Sequence, residues 1–382
     1  MIPLSVPNIS GNEWKYVKEC LDTGWISSSG KYVNKFEKSI QKYTGSKYAV
    51  ACMNGTVGLQ ISLLLAGVNK NDIVIAPNLT FVATLNAISY VGAQIVLVDC
   101  CIDTWQLDVC LLKKWLRDNT ITTSENGKPI TKEKFSGKKI GAIMPVYVLG
   151  GFMKIEELLK ISKEFGIPIV EDSTEALGSF KKGKHSGTYG VSGVLSFNGN
   201  KIISTGGGGM ILTENINIAK KAKHLTTTAK TNPMDYYHDE VAYNYRLVNV
   251  LAAIGLAQME NFENILKRKK EIDSIYREEL MGCEDIVFQE NEIGSSPNCW
   301  LFTFRTKKMR KLLDYLNEKG IQCRPFWTPM NNLPMYRNLT YISDNDISNN
   351  IFRECISIPS SSNLTNSNQG KVISEIKKFY KS

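Results

Sequence analysis

The 382-residue chain lacks several features that would class it at once, and each absence excludes something. No apolar run approaches the ~20 residues a helix needs to cross a bilayer. The opening Met1-Ile2-Pro3-Leu4-Ser5-Val6-Pro7-Asn8 has no charged start followed by an apolar stretch, so neither a membrane partner nor an export signal is expected. No C-x-x-C pair occurs among the nine cysteines, and Cys100 and Cys101 are adjacent. A disulfide framework and a zinc site are therefore not indicated, and a reducing cytoplasm is the expected location. Charge of one sign is not concentrated: 46 Lys and Arg exceed 37 Asp and Glu by nine, but the basic residues lie among acidic ones, which argues against a nucleic-acid partner. Even Lys267-Arg268-Lys269-Lys270 falls among helix-spaced apolar residues (Phe262, Ile265, Leu266, Ile272, Ile275) and reads as a solvent-facing side. A composition of 43% hydrophobic and 22% charged residues excludes disorder, and the length suits two domains.

What is present is an alternation. Between about residues 47 and 215, apolar runs at 48–52, 73–75, 95–98, 140–144 and 167–170 read as buried strands, with helix-like segments at 56–65, 81–90 and 155–165. This pattern predicts an α/β fold with a mostly parallel central sheet covered on both faces, whose ligands sit at the carboxyl ends of the strands. Residues 119–138 are polar and without period, as in a surface insertion. A long helical pattern at 248–280, a strand-like run at 300–304 and a helix at 309–319 suggest a smaller α+β C-terminal domain, giving a division into 1–250 and 251–382.

Four loop segments stand out together. Asn54-Gly55-Thr56 follows a strand and opens a helix, where exposed N–H groups favour an anion, although an ordinary N-cap has the same composition. Val170-Glu171-Asp172-Ser173-Thr174-Glu175 ends another apolar run, so its carboxylates meet a ligand or cap a helix. Ser196-Phe197-Asn198-Gly199-Asn200-Lys201 is followed by Gly206-Gly207-Gly208-Gly209. What comes after these glycines is strand-like, which rules out a dinucleotide fingerprint and with it a nucleotide-sugar dehydrogenase; backbone passing close to something crowded is the better account. Tyr243-Asn244-Tyr245-Arg246-Leu247 is compatible with plain packing.

Pyridoxal 5'-phosphate chemistry asks for all four at once. A partly desolvated lysine must condense with the aldehyde, a carboxylate must keep the pyridine nitrogen protonated, and a helix N-terminus with hydroxyls must hold the phosphate. An aromatic residue would stack on the ring, and Phe81, just after a strand end, is a candidate, with a core role as the alternative.

Carried by these segments and by Gly24-Trp25-Ile26-Ser27-Ser28, Arg324-Pro325-Phe326-Trp327 and Ile358-Pro359-Ser360, the chain resembles the DegT/DnrJ/EryC1/StrS sugar aminotransferases over nearly its whole length. The resemblance implies the PLP-dependent transferase fold type I, like that of aspartate aminotransferase, with Lys201 as the cofactor-bound base and Asp172 as the pyridine-nitrogen partner. It places Gly55, Thr56 and Ser196 at the phosphate, Phe81 on the ring and Glu175 near the cofactor's hydroxyl. Asn244 is implied to reach the neighbouring subunit's cofactor phosphate, making a homodimer with shared active sites. Arg246, Trp327 and the loop Trp25, Ile26, Ser27, Ser28 are implied to flank the sugar. The stretches 171–179, 224–230 and 238–240 and the polar insertion resemble the legionaminic acid and bacillosamine branch, which implies glutamate as donor (2-oxoglutarate as its product) and a UDP-linked 4-keto-6-deoxy-N-acetylhexosamine as acceptor. A GDP-perosamine-type or dTDP-sugar 4- or 3-aminotransferase and a non-catalytic cofactor-binding regulator are the alternatives. Two departures bear on the sugar: Tyr147-Val148-Leu149-Gly150-Gly151 and Asn331 stand where histidine is frequent.

Overall fold

The computed structural model describes residues 1–232 and 234–381. Its central sheet has eight strands in the order Thr340–Ile342, Gln94–Val98, Ile73–Pro77, Ile140–Ile143, Val170–Asp172, Ser192–Ser196, Gly209–Thr213, Tyr48–Cys52. Two parallel bridges, Ile143 to Ile169 and Val146 to Asp172, join its halves, and only Gly209–Thr213 runs against the rest. The expected mostly parallel sheet is present.

Side chains alternate across each strand, and both faces are apolar because both are covered. Val50, Cys52, Val74, Ala76, Leu97, Val194 and Ile211 pack under the helices Gly55–Leu65, Ala83–Tyr90 and Ile216–Thr226. Their neighbours Ala49, Ala51, Leu195, Met210 and Leu212 meet helix Lys31–Thr44, while Ile73, Ile75, Val96 and Val98 meet Val109–Asn119 and Ile155–Phe165.

The C-terminal part has its own antiparallel sheet, in the order Val287–Phe288, Phe302–Arg305, Cys355–Ile358, Arg324–Pro325, covered by Met309–Glu318 and Asn366–Lys381 around Tyr276, Phe304, Leu312, Ile356 and Val372. Packing does not divide the chain at residue 250. The long helical pattern breaks at Asn261 into Asn249–Glu260 and Phe262–Leu280, and the first piece packs on Glu13–Thr23 and Lys31–Thr44 within the large unit. Thr340–Ile342 adds the outer strand of the large sheet, and Ile2 pairs with Ile321 of the small unit.

The polar insertion is a β-hairpin, Thr120–Glu125 against Lys128–Glu133. Its Asn126-Gly127 turn has φ of 52° and 73°, the left-handed pair that a tight hairpin requires. Among the described residues no helix is long and apolar enough to cross a membrane.

Candidate active site

The carboxyl ends of three parallel strands converge on one pocket of about 280 Å3. Beyond Tyr48–Cys52, Asn54 caps the next helix by accepting a hydrogen bond from the Val57 N–H at 3.0 Å, which leaves Gly55 and Thr56 in the first turn lining the pocket. The first N–H groups of a helix have no internal partner and carry partial positive charge, so this corner suits a phosphate. Ser196, at the end of its strand, and Asn198 line the same corner. The fit is close. A Cβ on Gly55 would stand 2.9 Å from Thr174 Cγ2 and 3.1 Å from Ser196 Cβ, and one on Gly209 would stand 2.6 Å from the backbone C and O of Asn54. The crowding expected around the glycine run is therefore the backbone of the Asn54 turn itself.

Val170–Asp172 delivers the carboxylates. Asp172 is buried, and its Oδ2 accepts a 2.8 Å hydrogen bond from the Thr84 hydroxyl while Oδ1 accepts from the Thr174 N–H at 3.2 Å. Glu175, also buried, accepts from the Leu149 N–H at 2.8 Å and lies 3.8 Å from Lys201 Nζ. Burial raises the Glu175 carboxyl to about 7, although Lys201 pulls the other way. Burial likewise lowers the Lys201 amine below its ordinary value, against the pull of Glu175 and Asp172. A lysine at the mouth of a pocket with a reduced hold on its proton is what condensation with an aldehyde requires.

Aromatic side chains line the opening. Phe81 is 51% exposed and meets the Trp327 ring edge-on at 6.3 Å, and Trp327 stacks on Trp300 at 6.3 Å and 24°. Lys201, Glu175, Gly55, Thr56, Ser196, Phe81 and Trp327 thus gather in one cavity, with Asp172 close enough to act on both members of the Lys201 and Glu175 pair. An anion-binding helix start, hydroxyls, a desolvated lysine, a buried carboxylate and an exposed aromatic face together suit pyridoxal phosphate. Among the described residues, Lys201 is the one basic residue lining the cavity.

Other expected residues lie elsewhere. Arg246 is 6% exposed, and its Nη1 holds Glu37 Oε1 at 2.7 Å and the Ala51 carbonyl at 3.2 Å. It does not line the pocket, because a guanidinium this deep needs a carboxylate partner and has found one. Trp25, Ile26, Ser27 and Ser28 form an exposed loop fixed by Asn249, whose Nδ2 donates to the Trp25 carbonyl at 2.6 Å and whose N–H donates to that of Ser27. Within one chain this loop borders a different hollow, with Lys31 and Tyr32. Asn244 is exposed beside its bridge to Thr227 and does not line its own chain's pocket. Three contributors went unread in the sequence: Thr84, Asn198 and Trp300. Trp300 was hidden inside an apolar run expected to be strand, whereas the strand begins at Phe302.

The sequence profile of the DegT/DnrJ/EryC1/StrS aminotransferase family matches residues 7–377. The chain is similar to a protein of Escherichia coli O157:H7 named GDP-perosamine synthase, 33% identical over 382 residues, covering 99% of this chain and 98% of that one. It is also similar to the putative pyridoxal phosphate-dependent aminotransferase EpsN of Bacillus subtilis strain 168, 33% identical over 378 residues, covering 97% and 94%. A crystal structure of a DegT DnrJ EryC1 StrS aminotransferase from Brucella abortus superposes with a TM-score of 0.87 at 22% identity, covering 97% of this chain and 96% of that one, and shows the shared fold, PLP-dependent type I. The E. coli relative is named for a GDP-linked sugar, whereas the stretches read above resemble a UDP-sugar branch. Those stretches also have structural partners. Glu171 is fully buried, accepting from the Tyr147 hydroxyl and the N–H groups of Gly187, Tyr189 and Gly190. His224 pairs with Asp239 at 2.7 Å, and the hairpin's first strand is exposed beyond Thr120.

Proposed function

The chain belongs to the DegT/DnrJ/EryC1/StrS aminotransferase family, and from that premise we propose that it moves an amino group from glutamate to the C4 keto group of a GDP-linked 4-keto-6-deoxy sugar. The observation that carries the reaction is the part-buried Lys201 amine beside Glu175 at the mouth of the phosphate-suited pocket. The name GDP-perosamine synthase, borne by the E. coli relative at 33% identity over nearly full length, favours the GDP carrier over UDP.

Pyridoxal phosphate, when bound, supplies the aldehyde that accepts the amine and a ring that absorbs electrons from the substrate carbon. The chain's residues do the rest. Gly55, Thr56 and Ser196, which line the pocket, would hold the phosphate, and the Asp172 carboxylate, oriented by Thr84, would partner the ring nitrogen. Phe81 covers the ring. Lys201 Nζ would take the proton from the donor's α-carbon in the first half-reaction and would deliver a proton to C4 of the sugar in the second, serving as base and then as acid. Trp327 and Phe81 present an apolar wall to a sugar whose sixth carbon is a methyl group. We take a homodimer as the active unit, with the exposed Asn244 reaching the phosphate in the partner's pocket and so adding to a site that holds a single basic residue of its own.

The test is incubation of purified protein with glutamate and a panel of GDP-, UDP- and dTDP-linked keto sugars, with products identified by mass spectrometry and NMR. Amination of the GDP-linked 4-keto-6-deoxy sugar at C4 is expected. Product only from a UDP-linked N-acetyl sugar would reverse the choice of carrier, and no product from any member would remove the sugar assignment.

A further inference from the structure

The Lys201 amine has a second close neighbour that is not ionic: its Nζ lies 4.1 Å from the centre of the Trp300 ring. Trp300 is 2% exposed, and its polar groups are all committed. The indole N–H donates to the carbonyl of Asn200, the residue before Lys201, at 2.7 Å. The Trp300 N–H donates to Asn298 Oδ1 at 3.1 Å, and its carbonyl accepts from the buried Lys269 ammonium. Asn298 in turn donates from Nδ2 to the carbonyls of Glu175 at 2.7 Å and Leu177 at 2.9 Å. One short segment, 298–300, thus ties together the backbone before Lys201, the backbone of Glu175 and the ring that lies beside the amine.

A buried indole N–H needs a partner wherever it lies, and here that partner is the backbone of the lysine's own loop. A long lysine side chain loses rotamer entropy when held in one place, so a fixed resting place has to be built. An indole face meets both needs of an amine that changes protonation: it attracts the charged form through its ring electrons and excludes water from the neutral form.

We propose that Trp300 is a positioning residue for the transamination, its indole being the fixed wall against which the Lys201 amine rests between proton transfers. This rests on Lys201 being the cofactor-bearing lysine. Two holoenzyme variants test it. Trp300→Phe keeps a ring but loses the bond to Asn200, and Trp300→Leu loses the aromatic face. Three readouts are taken: borohydride tagging of Lys201 read by mass spectrometry, the pH midpoint of the bound cofactor's absorbance, and kcat and KM for the sugar.

Wild type and Trp300→Phe should both be tagged at Lys201. The absorbance midpoint should move by about half a pH unit or more in Trp300→Leu, where both the ring attraction and the exclusion of water are lost. The rate constant kcat should fall about tenfold in Trp300→Phe and further in Trp300→Leu, with little change in KM, as expected for a misplaced catalytic group. If Trp300→Leu does not fold, Trp300→Phe decides. Normal midpoints and wild-type kcat in a tagged, folded variant would overturn the proposal. An untagged wild type would overturn it by a separate route, by removing the assignment of Lys201 itself.

Discussion

Lys201 Nζ and Glu175 Oε1 stand 3.8 Å apart in a buried setting that moves both toward their neutral forms. Burial raises the Glu175 carboxyl to about 7 and lowers the Lys201 amine, so near neutral pH the two sit closer in proton affinity than an ordinary carboxyl and amine. The pair keeps a proton beside the pocket.

Replacing Glu175 by Gln leaves an amide of nearly the same shape that cannot ionise. A carboxyl raised from its ordinary 4.5 to about 7 contributes stability that is complete below 4.5 and is lost as pH rises through 7. The Tm of cofactor-free Glu175→Gln relative to wild type should therefore climb between pH 4.5 and 7 and level off above. A difference flat across this range, measured by scanning calorimetry at several pH values, would mean that Glu175 ionises normally.

Thr84→Val removes the hydroxyl that donates to Asp172 Oδ2 at 2.8 Å while preserving volume. A hydrogen bond to a charged group contributes ~1.5–3 kcal/mol, so kcat should fall at least about tenfold. Steady-state kinetics alongside an absorbance titration of cofactor affinity checks this.

Arg246→Leu strips the buried partner from Glu37 and should destabilise the chain by ~3–5 kcal/mol, whereas Arg246→Leu combined with Glu37→Leu should recover much of the loss. Urea unfolding midpoints read the effect. KM for the nucleotide sugar should not change in the folded variants; a selective rise in KM would return Arg246 to the substrate.

Gly209→Ala and Gly207→Ala should behave differently although they are two residues apart. A Cβ at 209 would push the Asn54 turn, at 2.6 Å from its backbone, whereas at 207 it would meet only the Met53 carbonyl at 3.9 Å. Overpacking of this kind costs ~1–3 kcal/mol, and here it falls on the phosphate corner. Pyridoxal phosphate titration should show weakened binding in Gly209→Ala and near-normal binding in Gly207→Ala.

Much of this was legible in the sequence because strands buried on both faces leave unbroken apolar runs, and because the loops after them concentrate unusual residues. Asn54-Gly55-Thr56, Asp172, Glu175 and Lys201 were all found in that way, and they converge because parallel strands end on the same side. What was not legible depends on partners far away in sequence. Nothing local distinguishes an arginine that neutralises Glu37 from one that awaits a ligand. Trp300 reads as one more strand residue until the fold sets it against Lys201. The edge strand at 340–342 is too short and too polar to announce itself, and the break at Asn261 leaves the helical periodicity almost intact. The Asn126-Gly127 hairpin is a different case, since its turn dipeptide was visible but lay in a stretch judged by polarity alone.

The outermost strand of the large sheet comes from residues 340–342, and Ile2 finds its strand partner at Ile321. A ribosome making this polypeptide therefore adds more than 300 residues after Ile2, and more than 200 after Val98, before the two seams can close. The nascent chain must keep an open sheet edge until residues 340–342 have emerged, and termination before residue 340 would leave that edge exposed to other chains.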